Sequence, residues 1–440
     1  MTLINFNFDA LSVLTAFLIT FICLIVFSYS KTYLNGDKKR SAFLAKILLI
    51  NITLIVTFSS DNIFVMSAAW IISNVLLVLM MIHKKSWQQS LDSGIIALKN
   101  FIFGFICLSL ALYILFQQSG TYLISEIILS EEISQKSLII SCCLILLAAL
   151  SQSAIYPFHS WLLSSLNSPT PASAIMHAGL VNGGGILLAR FAPLFFKVPD
   201  ILTAAFILGI SSAMIGTLWK LIQSNVKGML ACSTMSQMGF MIAQCAMGLF
   251  PAAIAHLFWH GMFKSYLFLS SAGSWQERRL DFRYPPQLIS FVLALICGTI
   301  GALIFARINS ININDDQTTL ILVEICFIAA TQVALTIIDR SPLKKFVPAF
   351  VLSSAVSAIY ASSVVFIEKL MPPEIFYPQE LNFWHLAAGT LLMIMWIVRL
   401  FWPSSQKISP LFLKLYVRAL NASQPLSKTI TSNRNQYNFK

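Results

Sequence analysis

The chain has 440 residues, 57% of them hydrophobic and only 10% charged, against about 25% charged in ordinary soluble domains. That composition excludes a soluble globular enzyme. It points to an all-α, polytopic membrane bundle, because a spanning segment needs roughly 20 apolar residues whose backbone groups pair internally. The formal charge of +12 is spread through short loops, whereas a nucleic-acid surface would cluster it on one soluble face, so membrane lipid and not nucleic acid is the expected contact.

Apolar runs near 10–30, 41–58, 62–82, 95–117, 137–157, 171–192, 200–220, 229–247, 251–272, 286–306, 318–338, 346–367 and 385–402 predict about 13 spans. No basic stretch or small-residue cleavage site accompanies the first, which reads as retained and not as a signal peptide. With the N-terminus outside, 20 of the 29 Lys and Arg fall in the inner segments. They are Lys31 with Lys38, Lys39 and Arg40; Lys84 and Lys85; Lys220 and Lys227; Arg278, Arg279 and Arg283; Arg340, Lys344 and Lys345; and six from Lys407 to Lys440. Lys136, Lys197, Arg307 and Lys369 alone fall outside, the imbalance expected when the basic loops face the cytoplasm. The outer loop 118–136 is acidic, with Glu126, Glu131 and Glu132.

The domain reading is a membrane domain over 1–402 and an inner tail over 403–440. The tail opens on a short amphipathic stretch, with Leu411, Leu413, Leu415, Val417 and Leu420 beside Lys414 and Arg418. Either the inner membrane surface or a partner subunit would accommodate it. All eight cysteines fall within the expected spans, with no C-x-x-C pair, and read as apolar packing residues.

One segment departs from simple spanning logic: "SQSAIYPFHSWLLSSLNSPTPASAIMHAGLVNGGGILLAR", 151–190. Pro157, Pro169 and Pro171 remove backbone donors, while Gly179, Gly183, Gly184 and Gly185 weaken the helix. Breaks at membrane depth persist where protein or a water-lined cavity satisfies the freed groups, and in transporters they mark ion sites. Close glycine packing, with Gly179 and Gly183 four residues apart, is the alternative.

In "HLFWHGMFK", 256–264, His256, His260 and Lys264 recur every fourth residue. Each step advances only about 40° around a helix, so the three form one polar stripe about 12 Å long. Charged groups at membrane depth are costly and face the bundle interior. Imidazoles and a desolvated ammonium together suit proton transfer between waters. A metal site is the competing chemistry for His-x-x-x-His, but Leu257 stands where the metalloprotease pattern requires Glu. No metal and no cofactor are therefore expected. Further candidates are His177 after the proline segment, Lys227 at an inner span end, and Glu324, the carboxylate read as deep in a span. Lys46 and Lys99 sit nearer span ends and read as snorkelling.

"PFHSWL", "SPTPASAIMHAGLVNGGGILLAR", "VKGMLACSTMSQMGFM" and "HLFWHGMFKSYLFLSSAGS" resemble, in order and spacing, the proton-conducting subunits of the NADH-quinone oxidoreductase subunit L and Mrp antiporter type. The resemblance covers about 60–300. It implies inverted five-helix repeats, broken helices and a hydrated polar line, with relay roles for His177, His256, His260 and Lys264 and a matching basic residue at Lys227. The chain departs from that pattern where a Trp-Glu pair is usual, reading Trp70-Ile71, and where a Lys is usual, reading Gln152. The Lys of the second broken helix has no clean counterpart, Arg307 being the nearest basic residue.

A narrower resemblance joins "SSLNSPTPASAIMHAGLVNGGGILLARFAPL" and the tail "LYVRALNASQP" to the DabB-type membrane subunit of inorganic-carbon accumulating complexes. It implies a bacterial inner-membrane subunit, not itself an enzyme, that conducts cations, protons foremost. Ion entry would drive conversion of carbon dioxide to bicarbonate by a large zinc-containing DabA-type partner on the cytoplasmic side. An Mrp-like or respiratory subunit moving protons or sodium, and a non-conducting anchor for a soluble partner, stay open beside it.

Overall fold

The structure is a computed structural model and describes residues 5–271, 285–312, 314–315, 317–338, 341–401 and 410–430. The basic residues Arg278, Arg279, Arg283, Arg340, Lys407, Arg434 and Lys440 lie outside the described residues.

The described elements are helices. They run α1 (Ala10–Tyr33), α2 (Arg40–Ser59), α3 (Ile63–Met81), α4 (Gln88–Ser119), α5 (Ile124–Leu129), α6 (Gln135–Gln152), α7 (Ser160–Leu163), α8 (Thr170–Ala178), α9 (Gly183–Arg190), α10 (Ala192–Phe196), α11 (Pro199–Ile222), α12 (Val226–Ala246), α13 (Phe250–Ser270), α14 (Leu288–Ile308), α15 (Thr319–Ile338), α16 (Pro342–Leu370), α17 (Phe383–Phe401) and α18 (Pro410–Ala422). Among the described residues, 11 helical segments are long and apolar enough to cross a membrane, counting α8 and α9 together as Thr170–Arg190. The expected count of about 13 is reached only with α12 and α13, which fall outside those 11. Polar residues along both helices lower their mean hydropathy. Large apolar side chains such as Phe17, Leu24, Tyr113, Val351 and Ile359 remain exposed on the spans, as a lipid-facing surface requires.

The chain divides into two compact units, one of Met1–Ala246, His256–Gln276 and Leu415–Lys440, the other of Met247–Ala255 and Glu277–Lys414. In the first unit α11 and α12 touch backbone to backbone. A Cβ on Gly209 would meet the Gly239 carbonyl and the Ala243 nitrogen, and one on Gly216 would meet Ser236 N and Cys232 O. Small residues at such crossings let membrane helices gain van der Waals contact that lipid tails cannot supply. At one end of this unit Asp61 receives both the backbone N–H and the hydroxyl of Ser125, at 2.8 and 2.7 Å. The carboxylate of Asp9 caps α1 through Ser12 N and pairs with Arg190 at the end of α9. Arg190 also donates to Ser12 Oγ at 2.7 Å and to Phe58 O, so this cation ties three helices together.

The second unit packs α14, α15 and α16 around Ala294, Cys297, Ala334, Ile338 and Ala349. Thr318 Oγ1 donates to Met247 O at 2.8 Å, and Leu249 pairs with Phe376 in an isolated bridge.

Candidate functional site

α13 forms as an unbroken helix, and its amphipathicity is the reverse of a soluble helix. Trp259, Phe263 and Tyr266 are 44%, 58% and 67% exposed, while His256, His260 and Lys264 are 8%, 5% and 1% exposed. The polar stripe faces protein and the aromatic face is left for lipid, the placement membrane energetics favour.

α12 supplies the partners. Gln244 Oε1 lies 2.9 Å from His256 Nδ1, which leaves His256 Nε2 without a protein partner. The His260 ring stands 6.0 Å from that of His256, nearly perpendicular to it, and neither of its ring nitrogens has a hydrogen-bond partner among the described residues. Lys264 Nζ donates to Leu230 O at 3.4 Å. The Thr234 hydroxyl donates to the same carbonyl and lies 3.1 Å from His177 Nδ1. His177, 1% exposed, stacks on Phe268 with centroids 4.2 Å apart. The structure therefore brings His177, His256, His260 and Lys264 together along one line shared by α8, α12 and α13.

The helix break that brings α8 to this line is built by glycine more than by proline. Pro169 and Pro171 stand at the start of α8, and Pro157 lies in the turn after α6. The interruption falls at Gly179, followed by a single 3-10 turn over Leu180–Asn182 before α9 resumes. Three carbonyls at the break take side-chain donors: Ala178 O from Asn182 Nδ2 at 2.6 Å, Leu180 O from Gln152 Nε2 at 3.2 Å, and Val181 O from Ser153 Oγ at 2.8 Å. Without those donors the break would leave unsatisfied carbonyls at membrane depth. Gly183, Gly184 and Gly185 serve close packing instead, against Gln152 and Trp70, Ser153 and Ala149, and Met241 respectively. Gly261 lets α13 approach the break, since a Cβ there would lie 3.0 Å from Ala178 O.

Gln152, the departure noted in the sequence, is paired. Its Nε2 donates to Asn74 Oδ1 at 3.0 Å, and Asn74 Nδ2 donates back to Gln152 Oε1 at 3.1 Å. A neutral, reciprocal amide pair thus links α3 to α6, one turn along from Ile71. Sequence reasoning missed Asn74, Thr234 and Gln244. Asn74 and Gln244 are amides within largely apolar helices, a signal that marks them as bonded without naming the partner, while Thr234 lies among Ser233, Ser236 and Gln237 and carries no such signal.

Lys227 is placed apart from the stripe. Its Nζ donates to Leu166 O at 3.3 Å and Ser168 O at 2.9 Å, and it lines a cavity of about 530 Å³ with Asp37, His83, Lys84 and Ser168. Ser168 Oγ is buried with no protein partner. The hydrogen bond from His83, 2.8 Å away, is the chief reason the Asp37 carboxyl is held below its ordinary value.

In the second unit Glu324 sits in the second turn of α15 (Thr319–Ile338), a helix whose bounds match the expected span. Its carboxylate fills the space a Cβ on Gly389 would need, in an open groove of about 410 Å³ shared with His385 and Thr390. Arg307 is exposed at the end of α14. Among the described residues, ion pairs join Asp37 with His83 and Asp9 with Arg190.

Comparison with known proteins follows the same division. Residues 60–285 match the family described as NADH:quinone oxidoreductase/Mrp antiporter, transmembrane, and residues 2–44 match NADH-ubiquinone oxidoreductase (complex I) chain 5, N-terminus. The chain is 37% identical over 275 residues to a probable inorganic carbon transporter subunit DabB of Bacillus anthracis, covering 62% of this chain and 54% of that one. It is 31% identical over 278 residues to the probable inorganic carbon transporter subunit DabB1 of Halothiobacillus neapolitanus, covering 62% and 50%. The chain therefore spans about half the length of the curated relatives it matches. Among solved structures, the Mrp complex from Dietzia sp. DQ12-45-1b has the same fold, with a TM-score of 0.61 at 19% identity over 94% of this chain and 52% of that one.

Proposed function

Because the chain belongs to the NADH:quinone oxidoreductase/Mrp antiporter transmembrane family, we propose that it is the proton-conducting membrane subunit of an inorganic-carbon uptake assembly. The similarity to DabB subunits supports the substrate class. The observation that carries the conducting role is the buried line of His177, His256, His260 and Lys264. Within it His260 offers both ring nitrogens, and His256 one, to something other than protein. Buried polar groups are almost always hydrogen-bonded, and a polar, enclosed path is where ordered water persists. An imidazole that accepts a proton at one nitrogen and releases another from the opposite one passes a proton between waters, as His260 can, and is left as the other tautomer, so the ring must turn over before the next transfer. His256, with Nδ1 held by Gln244 Oε1, takes up and releases a proton at Nε2 alone, and Lys264 supplies the amine at the end of the stripe.

In this reading carbon dioxide hydration belongs to a zinc-containing partner on the cytoplasmic side, where the basic loops lie, and this chain supplies vectorial ion entry. The N-terminus is external and the tail cytoplasmic. Single cysteines at Glu131 should then label from outside in a cysteine-free background, and those at Lys39 should not. The functional test is carbon uptake by cells expressing the chain with its partner, before and after the proton gradient is dissipated. Collapse of uptake supports the coupling; uptake that persists without a proton or sodium gradient defeats it.

A specific observation favours a second reading, a membrane anchor that does not conduct: the Gln152–Asn74 pair carries no charge. Co-purification of the partner, with uptake unaffected by Lys264→Ala, would establish that role instead.

A further inference from the structure

The last described segment of the chain is not a free tail. Ser423 and Thr429 are 1% and 3% exposed. Gln223 Nε2 donates to both Ser423 O and Ser423 Oγ, at 3.1 and 2.8 Å. Leu426 N donates to Ser164 Oγ at 3.3 Å, and Asn167 Nδ2 donates to Thr429 O. Ala419, on the last turn of α18, packs against the cluster of Leu163, Trp219, Cys232 and Met235. The segment 164–168 is thus held from two directions, by residues 423–429 and by Lys227, which takes the carbonyls of Leu166 and Ser168. That segment leads directly into α8, the helix that carries His177.

α18 itself is exposed along its first eight residues after Pro410. Leu411, Phe412, Leu413, Leu415, Tyr416 and Val417 are 40–68% exposed. At 100° per residue the apolar side chains sweep a wide arc, and Lys414, Arg418 and Asn421 share the narrow remainder. The helix starts nine residues beyond the end of α17, a membrane-crossing segment. Its far end is pinned by Ser423 to Gln223, the residue that follows the α11 span. The far end is therefore fixed beside the end of a span. A helix so tethered, mostly apolar with two cations on its polar arc, matches the boundary between headgroups and acyl chains, where the apolar arc is buried and Lys and Arg reach anionic headgroups.

We propose that α18 is an arm seated in anionic lipid, and that residues 423–429 are a strap through which it holds the 164–168 segment and Lys227 at the mouth of the 530 Å³ cavity. Seating of the arm keeps the mouth in the conformation described here, and release of the strap loosens it.

The test uses the full chain in vesicles of phosphatidylcholine with and without phosphatidylglycerol, and needs neither ion flux nor carbon uptake, so its failure is separable from that of the proposed function. Spin labels at Leu411→Cys and Leu415→Cys in a cysteine-free background should be accessible to oxygen, and one at Asn421→Cys to a water-soluble nickel complex. Two cations contribute about 1 kcal/mol each near an anionic surface, so Lys414→Gln with Arg418→Gln should shift the seated arm about 30-fold toward water in the phosphatidylglycerol vesicles. Labels that stay water-accessible in both vesicles would overturn the lipid assignment, as would shielding that appears only when a soluble partner is added. For the strap, Gln223→Ala with Asn167→Ala should speed thiosulfonate labelling of Ser168→Cys several-fold. Truncation after Ala422 should do the same. Unchanged labelling in the well-assembled double variant would remove the strap.

Discussion

The two compact units use the same helical material for different ends. In the first, the ionisable groups of the line are almost wholly buried, on α13 and on α8 beside the helix break, with neutral partners from α12. In the second, α14, α15 and α16 pack through alanine, cysteine and glycine, and the carboxylate that stands out, Glu324, faces an open groove near a helix end. Apolar packing alone is enough to build a membrane bundle. Burying histidines and a lysine adds desolvation cost without helping the bundle assemble. The first unit bears that cost, and the proposed proton line is drawn there.

The largest expected effect tests that contrast directly. Lys264→Ala should reduce gradient-driven carbon uptake to background while the protein still inserts and binds its partner, whereas Glu324→Gln should leave most of the uptake. Equal loss in both would erase the distinction between the units. Next come His256→Gln and His260→Gln. Gln keeps hydrogen bonding without titrating, so uptake should fall while thermal stability in detergent is retained; full activity with both in place would make the histidines structural.

A smaller effect, on stability, comes from the amide pair. Gln152→Ala or Asn74→Ala leaves a buried amide unpaired and should cost about 1–3 kcal/mol, whereas replacing both by leucine should cost less than the two single changes combined. Additive losses would show that the pair is not coupled.

The smallest is a pH effect at the surface. Asp37 is held below its ordinary value chiefly by the hydrogen bond from His83, so its contribution is present above the unfolded carboxyl pKa and is lost as pH falls through the depressed folded value. Asp37→Asn should therefore lower the Tm slightly at neutral pH and not at all in strong acid. The side chain is 30% exposed, which keeps the effect small. A difference that grows on acidification would reverse the sign and refute the cause.

The stripe was legible because helical period alone aligns His256, His260 and Lys264, and because burial follows from membrane energetics. The break was legible as a region, but its chemistry was not. Proline looked responsible, while the interruption falls at Gly179 and is sustained by donors from α6 and from Asn182. The pairing of Gln152 with Asn74 joins residues 78 positions apart, and no local pattern encodes such a contact. Glu324 was recognisable as an unusual carboxylate, but its neighbour Gly389, on another helix, was not. The clamping of 164–168 by residues 423–429 was hidden for the same reason, since it depends on where the chain returns after its last span.

In the proposed reading, the reciprocal amides of Asn74 and Gln152 stand beside the proton line as an insulator. Each side chain gives the other one hydrogen and takes one, and Gln152 also donates to Leu180 O, so the pair holds no net charge. A proton line along α13 would then not continue through α3 and α6, and the first unit would carry a single branch that ends at the broken helix. Converting Asn74 to a carboxylate and Gln152 to an ammonium would place a charged bridge across that gap. The gating of the line and the identity of those two residues are thus one question.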